Sequence, residues 1–395
     1  MKAIELYAEW KPKPGFKLGK KDIDEKLTYL GSLVWKNPVV RAAERKIPEL
    51  IDDDDVIVKV KACGICGSDV HMAQASEDGY IYYPGLTAFP VVLGHEFSGE
   101  VVKAGKNALN KRNNKVFTPG EAICVEEMFW CGQCRPCCDG YPNNCENLQE
   151  LGFSIDGAFA EYVRVKSRYC WSIESLRNIY KGNEVFIAGS LVEPTCVAYN
   201  AVIERGGGIR PGDSVCILGS GPVGLAAVAI LKRAGAVKVI LSEEAAPRAE
   251  MGKRLGADYV INPKKEDFAE KVLEYTDGMG AKLFLEATGL PEVVLPGIED
   301  VIWNGRELNS TVVIVARTDV KVPIAGEVYQ VRRANIVGAQ GHSGHGNFPR
   351  AINLMANGMD VTEIVTKRIT LDEVPENIIK LQTCKDECKI TAVLD

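Results

Sequence analysis

The sequence predicts a two-part protein of the α/β plus β class, a β-rich first half followed by a doubly wound half built on a parallel sheet. Three observations predict it. Short alternating runs separated by Gly and Pro fill the region before residue 190. From about Leu191 onward, strand patterns and helix patterns alternate. The glycine-rich turn GSGPVG stands where the first of those strands meets its helix.

The elements follow in order. Val56–Ala62 (VIVKVKA) alternates apolar and polar residues, and Phe97–Val102, Ala122–Val125 and Ala158–Val165 are similarly β-rich. Together they predict a compact barrel or sandwich. Val215–Leu218 reads as a buried strand and Pro222–Ala234 as a helix with Pro in its first turn. Val237–Leu241, Tyr259–Ile261, Leu283–Glu286, Thr311–Val315 and Ile336–Ala339 read as further strands. Pro247–Leu255 and Glu266–Tyr275 read as helices between them. From Phe348 two helices and a last strand, Ile390–Leu394, are expected. Lys11–Lys46 is basic, contains proline and carries too weak a pattern for any assignment.

Bulk composition narrows the class. The 395 residues are 46% hydrophobic and 25% charged, ordinary for a soluble globular protein, and leave room for two or three domains. A net charge of −6 offers no footprint for nucleic acid or an anionic membrane. The N-terminus lacks an apolar signal-type core, so a reducing cytoplasmic setting is expected for the thirteen cysteines.

Cys131, Cys134, Cys137 and Cys145 follow the spacing C-x2-C-x2-C-x7-C. Four thiolates can converge on one tetrahedral cation, and a filled sphere means a structural zinc. The rival reading is a disulfide knot, which suits small secreted chains rather than one of this length. Cys138 breaks the spacing and is left as a spare thiol.

Within GSGPVG, Gly219 suits a tight turn, Gly221 a close approach of backbone to pyrophosphate, and Gly224 close helix–strand packing. Pro222 and Val223 complete the turn, and the helix start faces the phosphates. Glu243, 19 residues past Gly224 and after VKVILS, can accept both ribose hydroxyls and would repel a 2′-phosphate. NAD is therefore expected over NADP, with Arg248 close enough in sequence to soften that preference. The bland alternative is a glycine-rich turn beside a solvated glutamate.

Cys66 lies in CGICGSDVH, His95 in GHEFSGE, and Glu193 in EP before a helix. They could supply S, N and O donors to a catalytic zinc with one exchangeable position. Alone, Cys66 reads as a small buried residue, His95 as a core histidine and Glu193 as a helix-start carboxylate.

These motifs together resemble the zinc-containing medium-chain dehydrogenases of alcohols and polyols, from about Ile47 to the C-terminus, and most closely their sorbitol and threonine dehydrogenase branches. The resemblance implies a GroES-like catalytic domain at 1–190 with its zinc loop at 131–145. It also implies a Rossmann NAD-binding domain at 191–340 and a segment, 341–395, returning to the catalytic domain. It assigns Cys66, His95 and Glu193 to the catalytic zinc, with Glu96 as a carboxylate that can approach the metal. Ser68 becomes the hydroxyl contacting the substrate oxygen, Asp69 the carboxylate orienting His95, and His71 the outer member of a proton relay. The implied activity is hydride transfer between NAD and a secondary alcohol of a polyol or cyclitol, an inosose among them. L-threonine, or no catalysis at all, stand as alternatives. The implied partners are a small alcohol or ketone and a second copy or more of the chain, as dimer or tetramer. The loop from His71 to His95 is longer than the family pattern, and Tyr82 and Tyr83 are weighed as pocket residues. His342 and His345 are read either as contacts with cofactor or substrate near the cleft or as part of a glycine-rich surface loop, the second being preferred, and Cys384 and Cys388 as incidental thiols at a helix end.

Overall fold

A computed structural model of the chain describes residues 1–318, 320–384 and 386–395. It divides into two units, Met1–Glu193 with Phe348–Ala356 and Val365–Asp395, and Pro194–Asn347 with Asn357–Ile364. The first break falls at Glu193 rather than at 190. The return expected from 341 is corrected to Phe348, and Asn357–Ile364 stays with the second unit.

In the first unit, Asp55–Gly64 is the central strand because its valines alternate inward: Val56, Val58 and Val60 are fully buried. It pairs antiparallel with Glu96–Ala104, with Tyr162–Lys166 and with Lys389–Val393. Ala122–Val125 and Cys170–Ser172 extend the sheet on one side, and Val365–Ile369 on the other. Phe97, Phe159, Leu93 and Ile123 fill the core behind it, each burial contributing roughly 1.5–3 kcal/mol.

The unassigned segment is structured. Lys20–Glu25 is a helix, and Trp35–Glu44 pairs antiparallel with an N-terminal strand, Lys2–Trp10, which also meets Val91–Val92. Trp10 and Phe89 pack edge-on against the buried Trp35, ring centroids 4.9 and 5.0 Å away. Pro38 interrupts the pattern of Trp35–Glu44, which it can do because this strand lies at the sheet edge.

The second unit holds six parallel strands. Their order is Tyr259–Ile261, Lys238–Ser242, Ser214–Leu218, Leu283–Glu286, Thr311–Ile314 and Asn335–Gly338. Numbered along the chain, that is 3-2-1-4-5-6, the doubly wound order of dinucleotide-binding sheets. Glu184–Arg205 is long and apolar enough to cross a bilayer, but 83% of its apolar window is buried, as in a core helix.

Candidate active site and metal centres

The strand Asp55–Gly64 delivers Cys66 to the start of the helix Gly67–Ala73. Asp69 fixes that start: the Cys66 backbone N–H donates to its Oδ2 at 2.9 Å. Its other oxygen, Oδ1, faces His95 Nδ1 at 3.9 Å. One carboxylate thus caps the helix and stands beside the imidazole.

His95 arrives through Gly94, whose φ is +91°. A Cβ on Gly94 would lie 2.7 Å from the Phe159 ring and 2.8 Å from Cys63 Sγ, so only glycine lets the chain pass. Cys66, His95 and Glu96 each place a ligand atom within 4.8 Å of the other two. Burial disfavours charge on His95, yet Asp69, the Cys66 thiol and Glu193 outweigh it and raise its pKa well above the ordinary value. That pull is what a ring of anionic donors exerts on any cation at its centre. Sulfur, nitrogen and oxygen donors converging from a half-buried Cys66 and a buried His95 and Glu96 fit zinc.

Glu193 also belongs to the first unit, and its carboxylate lies within 4.8 Å of that of Glu127. Sequence reasoning missed Glu127. It is only 6% exposed, and burial pushes its carboxyl up to about 7 although His95 opposes the rise. The signal was present as a doubled acid in the apolar run ICVEEMFW.

The Ser68 hydroxyl is buried and has no hydrogen-bond partner among the described residues. His71, one turn further along the helix, is exposed. Phe153 covers His95 with ring centroids 4.7 Å apart, and Tyr83 packs on Phe153 at 5.2 Å. Tyr83 is therefore part of the wall around the cluster, whereas Tyr82 is exposed.

The four-cysteine loop closes as its spacing predicts, all four sulfurs lying within 4.8 Å of one another. Cys134 Sγ is 3.4 Å from Cys137 Sγ and 3.8 Å from Cys145 Sγ. A tetrahedron of thiolates about 2.3 Å from zinc has edges of about 3.8 Å, so the set fits the ion. Backbone N–H groups of Gln133 and Cys134 donate to Cys131 Sγ at 3.5 and 3.3 Å and lower its pKa to about 6. Such donors favour the thiolate that binds metal. Cys138 is exposed and outside the cluster.

In the second unit, Gly219 has φ +96°, and a Cβ there would meet the Ala287 carbonyl oxygen at 2.9 Å. A Cβ on Gly224 would collide with the Gly219 carbonyl, whereas one on Gly221 would meet nothing within 4 Å. Tight turn, open face and close packing are thus divided among the three glycines, a cradle that fits a pyrophosphate. Pro222 and Val223 begin the helix Pro222–Ala234. Glu243 stands just past the second strand. Its Oε2 accepts from the Ser220 N–H at 3.0 Å and the Ser220 hydroxyl at 2.5 Å, and its Oε1 from the Ala245 N–H at 2.7 Å. Arg248 lies in the following helix, Ala246–Leu255.

His342 departs from the surface-loop expectation. It is 1% exposed, with Ser343 buried beside it and Asn347 Nδ2 donating to its carbonyl at 3.1 Å. His345 is half exposed and lies 3.9 Å from Glu204. The helix before Cys384 ends at Leu381, so Cys384 and Cys388 lie beyond it rather than on its last turn. Cys384 Sγ instead donates to Asp386 at 3.3 Å.

Residues 52–175 match the alcohol dehydrogenase GroES-like domain family, and residues 222–357 the zinc-binding dehydrogenase family. The chain is 64% identical over 391 residues to the scyllo-inosose 3-dehydrogenase of Thermotoga maritima, covering 99% of both chains. It is 32% identical to the L-threonine 3-dehydrogenase of Caldanaerobacter subterraneus over 84% of this chain and 88% of that one. A solved Thermotoga maritima structure assigned as an alcohol dehydrogenase superposes with a TM-score of 0.98 at 63% identity, with both chains fully covered.

Proposed function

The chain belongs to the zinc-binding dehydrogenase family, and from that premise we propose that it transfers hydride between NAD and a ring carbinol of an inosose-type cyclitol. The observation that carries the chemistry is the converging S, N and O donor set of half-buried Cys66 with buried His95 and Glu96, with Glu193 close enough to act on His95. The 64% identity to a scyllo-inosose 3-dehydrogenase supports the substrate class.

Bound zinc supplies Lewis acidity toward the carbinol oxygen, and bound NAD accepts the hydride. Cys66, His95 and one carboxylate, Glu193 or Glu96, would hold the zinc. Ser68 accepts the carbinol proton on its unengaged hydroxyl and hands its own toward His71, which is exposed and releases it to water. Asp69 keeps the His95 ring in place. Phe153 and Tyr83 keep water from one side of the cluster. Gly219, Gly221, Pro222, Val223 and Gly224 would seat the pyrophosphate, and Glu243 the adenosine ribose, with Arg248 beside it. Cys131, Cys134, Cys137 and Cys145 would hold a second, structural zinc.

A homodimer or homotetramer in the cytosol completes the reading. The cluster of Cys131, Cys134, Cys137 and Cys145, which needs reduced sulfur to hold a metal, supports a reducing compartment, and light scattering reads the assembly.

The test is NAD reduction against scyllo-inosose, myo-inositol, sorbitol and L-threonine. The highest kcat/KM is expected on scyllo-inosose. Turnover of L-threonine alone would overturn the assignment in favour of the activity of the 32% relative.

A further inference from the structure

The first two strands of the second unit run parallel, with Leu218 in register with Ser242. The residues that follow them therefore emerge side by side, the glycine-rich turn from one strand and Glu243 from the other. Backbone bonds fix both exits: the Gly219 N–H donates to the Ser242 carbonyl and the Glu243 N–H to the Ile261 carbonyl, each at 3.0 Å. Ser220, at a position the GxGxxG pattern leaves unspecified, joins the two. It is fully buried, and its hydroxyl and its N–H both donate to Glu243 Oε2. Oε1 takes the Ala245 N–H at 2.7 Å and keeps a lone pair for a further donor. A glutamate free in solution turns about three side-chain bonds and is ordered only when its ligand arrives. Immobilising one such side chain on binding weakens affinity by about 2- to 12-fold. Around Glu243 that ordering is complete beforehand.

We propose that Ser220 is a specificity-determining positioning residue: its hydroxyl holds the Glu243 carboxylate in place, so that preference for NAD over NADP depends on it. The inference rests on the proposed seating of the adenosine ribose by Glu243 and adds the side chain that fixes that carboxylate. A held carboxylate offers a ribose hydroxyl an acceptor already ordered. It offers a 2′-phosphate an anion that cannot swing away. Loosening it weakens NAD binding and relieves the repulsion of NADP, and the two effects multiply in the ratio of affinities.

The experiment measures dissociation constants for NAD and for NADP by titration calorimetry on the full zinc-loaded chain, with melting temperatures alongside. The proteins are wild type, Ser220→Ala, Glu243→Ala and the double variant. Ser220→Ala removes a single oxygen atom and leaves the backbone donor to Glu243 intact. It is expected to lower the ratio of the NADP constant to the NAD constant by about 3- to 10-fold. In the Glu243→Ala background the same substitution should change the ratio no further, because the hydroxyl acts only through that carboxylate. A ratio unmoved by Ser220→Ala, in a protein where Glu243→Ala lowers it, overturns the proposal. An equal fall in both backgrounds marks a general disturbance of the turn and overturns it too. A ratio that Glu243→Ala itself leaves unchanged removes the role of Glu243, and the proposal falls with the reading beneath it.

Discussion

Lys389 Nζ lies 2.7 and 2.5 Å from the two carboxylate oxygens of Glu96, and both side chains are only 2% exposed. The ammonium also donates to the Ile65 carbonyl at 2.9 Å. Gly64 makes the room, since a Cβ there would stand 2.5 Å from Glu96 Oε2. Glu96 follows His95 in the candidate donor set, so this grip restrains a carboxylate proposed to approach the metal. Lys389→Met leaves a buried anion without its cation and is expected to cost about 3–5 kcal/mol. Adding Glu96→Gln should restore most of that loss in denaturant titrations. Losses that add to within about 0.5 kcal/mol would mean the pair is not coupled.

Cys137→Ser breaks the four-sulfur set while leaving the other donor cluster whole. Metal analysis of the purified variant should fall from near two zinc ions per chain to near one. A variant that still holds two sinks the structural-zinc assignment.

Gly94→Ala forces a side chain into a positive-φ position already closed by Phe159 and Cys63. The strained backbone alone costs about 1–2 kcal/mol, and relieving the overlap moves His95. The expected outcome is a lower melting temperature together with loss of one zinc per chain. Normal zinc content would show that the glycine does not position the histidine.

Glu243→Ala removes the carboxylate proposed to distinguish a ribose from its 2′-phosphate. Loss of a charged hydrogen bond is worth about 1.5–3 kcal/mol. The ratio of kcat/KM for NADP to that for NAD should therefore rise by roughly 10- to 100-fold. An unchanged ratio would remove Glu243 from cofactor selection, leaving it only its contacts with Ser220 and Ala245.

Asp55 makes a pH dependence readable. Burial works to raise its pKa, but Lys166 at 2.8 Å and the N–H groups of Asp52 and Ile51 outweigh it and hold the carboxyl below its ordinary value. A depressed folded-state pKa stabilises the protein above the unfolded value, near pH 4, and the contribution is lost as pH falls below it. Asp55→Asn should therefore flatten the acid limb of melting temperature against pH, whereas equal slopes in the two proteins would contradict the assignment.

Much of this arrangement was readable because local pattern and tertiary role agree. VIVKVKA alternates and is a half-covered central strand, and in GSGPVG the turn at Gly219 and the close packing at Gly224 have the backbone geometry their spacing predicts. The four cysteines close as spaced, since a metal sphere dictates their separation in sequence. Glu127 and Lys389 were illegible for the converse reason. A charged residue in a β-run normally marks the solvent face, and only a distant partner makes burial tolerable. For Lys389 that partner lies 293 residues away. The N-terminal sheet escaped because Trp35–Glu44 is an edge strand, where Pro and polar residues blur alternation.

The strand Lys389–Val393 is seated inside the first sheet, between Asp55–Gly64 and Val365–Ile369. During translation that slot stays open until Lys389–Val393 has left the ribosome, more than 280 residues after Glu96–Ala104 has emerged. The early part of the chain must therefore wait, with unpaired strand edges, while the nucleotide-binding part can finish first. Maturation is thus expected to run backwards relative to synthesis, with the metal pocket completed last. Ribosome-stalled chains halted before Lys389 should resist proteolysis across Ser214–Gly338 yet be cut within Asp55–Ala104.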